Sequence, residues 1–211
     1  RSKNGGAIYT EGIIDSIVDS TFEGDLASAA GGVIYAKAVN TIDGSSFEEC
    51  GYYIQETSKG AIYITGSDDL VITDSTFSSC QPGEGGAIYT HGGVSLINSE
   101  ITGCLADSFN VVTKGAVYAN GDVYIEETSI TDNFALEGSA VYSNSSITII
   151  NCNDIEGNGK HDQHVTSNGG VFYAKVDVII NNTEFSYNYA GLAGGAVYSE
   201  GNVNFYNSKD L

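Results

Sequence analysis

Cysteines, histidines and carboxylates are the residues of this 211-residue chain with reactive side chains. Cys50, Cys80 and Cys104 follow one another at about the same interval. If that interval is one turn of a coil, they stack at ~4.8 Å, inside the Cα window of a disulfide. Either pair, 50–80 or 80–104, can then close. The other reading is a column of small buried thiols standing where other turns carry asparagine. Cys152 falls outside this column and stays free or pairs elsewhere. No Cys-x-x-Cys occurs, and three sulfurs in a line do not make a tetrahedron, so no metal site is expected. His161-Asp162-Gln163-His164 offers two histidines three apart with no helix to fix them. His91, beside Gly92, reads as an exposed turn residue. Asn144-Ser145-Ser146 and Asn181-Asn182-Thr183 are N-glycosylation triplets, both at expected turns.

What positions these residues is a repeat. Gly5-Gly6-Ala7-Ile8-Tyr9 returns in variants ending at Tyr35, Tyr63, Tyr89, Tyr118, Tyr142, Tyr173 and Tyr198, at steps of 26, 28, 26, 29, 24, 31 and 25 residues. A period of this size means one structural unit stacked on copies of itself. Downstream of each tyrosine lies an aliphatic column: Ile17, Ile42, Ile72, Leu96, Ile125, Ile150, Ile180. A hydroxyl or amide column follows: Ser20, Ser45, Ser75, Ser99, Thr128, Asn153, Thr183. Next comes a Phe/Ile column: Phe22, Phe47, Phe77, Ile101, Ile130, Ile155, Phe185. Asp25, Cys50, Cys80, Cys104, Asn133, Asn158 and Asn188 close the circuit.

Pairs such as Leu70/Ile72 and Val123/Ile125 alternate as half-buried strands do. The expectation is an all-β, right-handed parallel β-helix with three short strands in each rung of about 27 residues. Seven full rungs and a partial eighth form one continuous domain over residues 1–211, read as a segment of a longer chain. Ile8 and Tyr9 are neighbours and must face opposite ways; the Ile column is expected inside, with the Tyr rings stacked outside under partial loop cover. Lys59 and Lys114 occupy the first glycine position and Ser139 the second, which reads as a looser first position.

A second period is hidden in the first. The rungs from Tyr35, Tyr89 and Tyr142 are longer, with extra residues at 51–59, 105–114 and 157–168. The unit is therefore a two-rung pair of about 55 residues with a loop on one edge, and such insertions collect on the binding face of solenoids.

Eight basic against 27 acidic residues give a net charge of −19, which argues against nucleic acid and anionic membranes. No apolar run is long enough for a membrane helix. Arg1 is the lone arginine beside seven lysines, a poor endowment for a lyase that must bind uronates, and the acids form no singular pair. No catalytic residue, cofactor or metal is therefore expected.

The Gly-Gly-Ala-Ile blocks, closest at 5–9, 85–89 and 194–198, together with Phe185-Ser186-Tyr187-Asn188, resemble the repeats of the polymorphic outer-membrane protein family and related surface proteins of microbes and protists. Ile130–Asn133 and Ile155–Asn158 come near the second motif, while three Cys and one Asp replace its Asn elsewhere. The resemblance implies a cell-surface β-helix serving adhesion or architecture. The expected function is a non-enzymatic extracellular spacer or fibre segment that also adheres. The alternatives are an adhesin binding glycan or protein through the loop row, and a polysaccharide lyase or hydrolase. Expected partners are further repeats or head-to-tail copies, and covalent glycans.

Overall fold

The computed structural model describes residues 2–51, 59–81, 84–105, 113–159 and 170–210. Three parallel sheets of eight strands each wrap one core. In every sheet the spatial order follows the chain, each strand pairing with the equivalent strand one circuit away. The tyrosine sheet runs from Ile8–Tyr9 to Val197–Ser199. The aliphatic sheet runs from Ile13–Val18 to Val203–Tyr206, and the Phe/Ile sheet from Thr21–Glu23 to Lys209–Asp210. Ser2–Asn4 adds a short pair with Ala27–Ala30. The eighth circuit contributes a strand to each sheet, so all three strands of the last rung are formed.

Two turns in each circuit use a single left-handed residue. Between the aliphatic and Phe/Ile sheets it is Asp19, Gly44, Asp74, Asn98, Glu127, Asn151, Asn182 or Asn207, with φ between 47° and 56°. Asp, Asn and Gly enter this region at the least cost, which is why turn formers recur there. Glu127 is the exception. After the third strand the left-handed residue is Gly24, Glu49, Ser79, Gly103, Asp132, Gly157 or Tyr187.

The interior is filled from all three sides. Ile34, Ile62, Ile88, Val117, Val141 and Phe172 point in from the tyrosine sheet, fully buried. Pairs such as Leu70/Ile72 and Ile147/Ile149 fill the second side, and Phe47 through Phe185 the third. Phe47 and Phe77 stack at 4.7 Å with their planes 1° apart. No rung could bury these side chains alone; stacking removes both flanks from water, and each full burial is worth ~2 kcal/mol.

The aliphatic column differs from expectation at one rung. Ile149, not Ile150, pairs with Ile125 and Ile180 and lies inside, while Ile150 pairs with Glu126 and Asn181 on the outer face. The turn after it is one residue longer, so Cys152, not Asn153, takes the hydroxyl position. Its Sγ donates to the Ile150 carbonyl at 3.4 Å, as Thr128 Oγ1 does to that of Glu126 at 2.9 Å. Ile155 therefore stands six residues after the inward Ile149, where Ile130 stands five after Ile125.

The first glycine is not loose: Gly5, Gly31, Gly85, Gly138 and Gly194 all have positive φ, and a Cβ there would stand 2.1 to 2.4 Å from the carbonyl oxygen of the residue before the tyrosine. In the two lysine rungs this role passes to Gly60 and Gly115, equally left-handed. These rungs lack one residue of the motif. Lys59 therefore pairs with Ala30 and Glu84, and Lys114 with Glu137, one place ahead of the glycine. At the second position Ser139 survives because its hydroxyl donates to the Gly170 carbonyl.

Candidate functional site: the tyrosine column and the internal ladders

All eight tyrosines stand in one column. Ring centroids are 5.1 Å apart for Tyr9–Tyr35, 4.4 Å for Tyr89–Tyr118 and 4.7 Å for Tyr142–Tyr173. The remaining steps lie between 4.8 and 5.6 Å, so the stack is unbroken. It lies outside the core, as the alternation demands, yet it is not a free surface: Tyr89, Tyr118, Tyr142 and Tyr173 are buried and form an apolar cluster of their own. Tyr9 alone is half exposed, at 52%. Burial holds the phenols of Tyr89, Tyr118, Tyr142 and Tyr173 above the usual range, with Glu200 reinforcing Tyr173 through a 2.8 Å hydrogen bond. Ring faces engaged with neighbouring rings are closed to ligands.

Lysines line this column at the two-rung period. Lys59 Nζ lies 4.5 Å from the Tyr89 ring centre and 3.6 Å from Glu84. Lys114 Nζ lies 4.7 Å over Tyr142 and 5.8 Å over Tyr118. Lys59, Glu84, Lys114 and Glu137 occupy one position in consecutive rungs and alternate in sign. The Lys-Gly-Ala-Ile-Tyr and Thr-Lys-Gly-Ala-Val-Tyr variants carried this signal, hidden until the missing residue is allowed for. His91 belongs here too. It is half-buried, edge-on to Tyr89 at 5.6 Å, and its Nδ1 donates to the Thr65 carbonyl at 3.1 Å, so it is not the exposed residue expected.

The cysteine column is present and fully buried. All four cysteines are free thiols; neither 50–80 nor 80–104 is bonded. Each Sγ lies between two carbonyls, one on the preceding rung and one two residues back: Cys50 by Phe22 at 3.5 Å and Glu48 at 3.2 Å, Cys80 by Phe47 and Ser78 at 3.7 Å each, Cys104 by Phe77 at 3.7 Å and Thr102 at 3.6 Å. The asparagines face the same carbonyls, Asn133, Asn158 and Asn188 donating from Nδ2 to Ile101, Ile130 and Ile155, and their Oδ1 atoms also accept from the backbone N–H of Cys104, Asn133 and Asn158. Thiol and amide thus fill one buried position against the same carbonyls, which accounts for Cys replacing Asn. Contact with the Cys80 thiol and burial push Cys50 far above the ordinary thiol range, and burial pushes Cys152 up to about 11. A second ladder passes through the hydroxyls: the Ser45, Ser75 and Ser99 backbone N–H groups each donate to the next rung's Ser75, Ser99 or Thr128 oxygen.

Of the sequons, Asn144 is half-buried and its Nδ2 donates to Tyr118 Oη at 2.7 Å and Asn120 Oδ1 at 2.6 Å. Asn181 is half-buried at the end of its strand. His161, His164 and most of the segments 51–59, 105–114 and 157–168 lie outside the described residues. Among the described residues no three His, Cys, Asp or Glu side chains gather as metal ligands, and no helix is long and apolar enough to cross a membrane.

A family model described as the right-handed beta helix region matches residues 6–175, most of the chain. The chain belongs to that family. The β-helix match covers the rungs from the first double glycine to the seventh tyrosine strand and agrees with the coil of parallel sheets described above. No curated protein and no solved structure matches the chain.

Proposed function

We propose that this β-helix is a non-enzymatic extracellular or cell-surface protein, a rigid spacer or fibre-forming segment with an adhesive capacity. The observation that carries this reading is the saturation of its chemistry by its own ladders. In the stacked tyrosine column, the Cys/Asn column and the inward hydroxyl column, ring faces, amides and hydroxyls are spent on neighbouring rungs. A catalytic centre instead needs a few groups withheld from such bonding and aimed at one point. Two of the seven lysines lie over the tyrosine rings, and a third binds Glu184 at 2.7 Å, which leaves few cations for uronates. The repeat motifs favour kinship with the polymorphic outer-membrane proteins and their surface relatives. Further repeats or copies stacked head to tail are the partners this architecture suits, since open strand edges pair readily. Asn144 and Asn181 are the proposed glycan carriers.

The adhesin alternative, through the row of longer loops, is favoured by the two-rung period that recurs in Lys59 and Lys114. Solution scattering tests the spacer directly. A rod with about 4.8 Å of length per rung is expected; a globular profile overturns it. Incubation with pectin and alginate should release no unsaturated or reducing ends, and their release would make the chain an enzyme.

A further inference from the structure

The outer face of the aliphatic sheet carries groups that the ladders leave unspent. Its outward column reads Val71, Ser95, Tyr124, Thr148, Ile179 in register. Large and small side chains alternate, so this face is corrugated with the two-rung period. The residue entering each strand alternates in step: Asp69, Gly93, Asp122, Ser146, Asp177. At Gly93 a Cβ would meet the Asp122 carbonyl at 2.6 Å and Asp69 Oδ1 at 2.8 Å. Glycine therefore holds open the rung between two carboxylates. The resulting cleft is lined by Asp69, Ser95, Asp122, Tyr124, Ser146 and Thr148.

Its polar groups retain capacity. Asp69 Oδ1 accepts from the Gly93 N–H at 2.8 Å, and Asp122 Oδ1 from the Ser146 N–H at 3.2 Å and Ser145 Oγ at 2.5 Å. Among the described residues the second oxygen of each carboxylate has no protein partner. Among the described residues the Ser95 and Thr148 hydroxyls have no protein partner. Tyr124 differs from the eight stacked tyrosines in the same way. Its hydroxyl is fixed on Glu126 at 2.8 Å, its column neighbours are Ser95 and Thr148, and among the described residues no ring stacks on it.

We propose that this cleft seats a neutral, hydroxyl-rich saccharide, with the C–H face of one sugar ring on Tyr124 and ring hydroxyls donating to Asp69 and Asp122. An apolar sugar face complements the aromatic quadrupole, and hydroxyl-to-carboxylate bonds are the strong, charge-assisted kind. Two carboxylates on a chain of net charge −19 select against uronates and sulfated sugars. Asp69 and Asp122 lie two rungs apart, about 10 Å along the column, the reach of a short saccharide. The next period has Asp177 with Ile179 in place of an aromatic, so among the described residues the seat is not repeated there. It gives the spacer reading an adhesive site of stated chemistry, and its test is separable from that reading.

Calorimetric titration of the purified chain with cellotetraose, mannotetraose, xylotetraose and tetragalacturonate tests it. Saturable binding of at least one neutral probe is expected, and none of tetragalacturonate. Tyr124→Ser, which installs the residue of its column neighbour, should weaken binding about tenfold or more with thermal unfolding unchanged. Asp122→Asn should weaken it severalfold. Absence of binding by all three neutral probes, equal binding to Tyr124→Ser, or equal binding of tetragalacturonate overturns the proposal. A rod without binding refutes this seat and spares the spacer; new reducing ends in a bound probe keep the seat and refute the non-enzymatic reading.

Discussion

At residue scale the chain is governed by backbone conformations that few side chains tolerate. Glu127 sits at φ 49° in a column otherwise filled by Asp, Asn and Gly. Glu127→Asn should therefore raise stability by ~0.5–1 kcal/mol, read from the denaturant midpoint. A neutral or lowered midpoint would mean that Glu127 contributes something its backbone does not reveal. Gly85→Ala should do the opposite, losing at least ~2 kcal/mol, since φ is +64° and the new Cβ would lie 2.4 Å from the Ile88 oxygen. The buried thiols impose a pH dependence. Cys152 is held at about 11 in the fold, above the ordinary value of ~8.5, so from about pH 8.5 upward the unfolded chain releases a proton that the folded chain retains. Stability is thus full below that range and falls as pH rises through about 11. Cys152→Ser, native to its hydroxyl column, should flatten the decline by up to ~1.4 kcal/mol per pH unit. An unchanged slope would assign the alkaline loss to other groups.

At the scale of elements the unit is the column more than the strand. The tyrosine stack draws its worth from ring contact and burial, while the Tyr142 hydroxyl makes no hydrogen bond among the described residues. Tyr142→Phe should be nearly neutral, and Tyr142→Ala should cost ~3–5 kcal/mol. Similar losses from both would show that the hydroxyl, not the ring, holds the column. The columns were legible in the sequence because stacking demands like above like: tyrosines, Phe/Ile positions and the Cys/Asn column fall where the repeat puts them. Illegible were the single-residue slips. An extra residue after Cys152 and a missing one after Lys59 and Lys114 leave the neighbouring motif intact. Only pairing between rungs shows which side chain faces in and which glycine carries the positive φ.

For the whole molecule the dominant long-range term is charge. Twenty-seven acids against eight bases on a solenoid repel one another at low ionic strength. Raising salt from about 0.02 to 0.2 M shortens the screening length toward 8 Å and should raise the midpoint of thermal unfolding. A midpoint that falls with salt would mean that ion pairs such as Lys59–Glu84 outweigh the repulsion.

The fold class, the period, the three strands of a rung and most of the inward columns are readable from the order of residues alone. A parallel coil forces each rung to repeat the side-chain pattern of the last, and that repetition is written into the chain. What the repeats leave over emerges from contacts between rungs in three dimensions. Those contacts bury the tyrosine stack over Tyr89, Tyr118, Tyr142 and Tyr173, set the cysteines in an asparagine ladder, and make an open cleft of Tyr124 and its two aspartates. These outcomes depend on which atoms the neighbouring rung consumes, and the hydrogen-bond accounts of adjacent rungs close only in three dimensions.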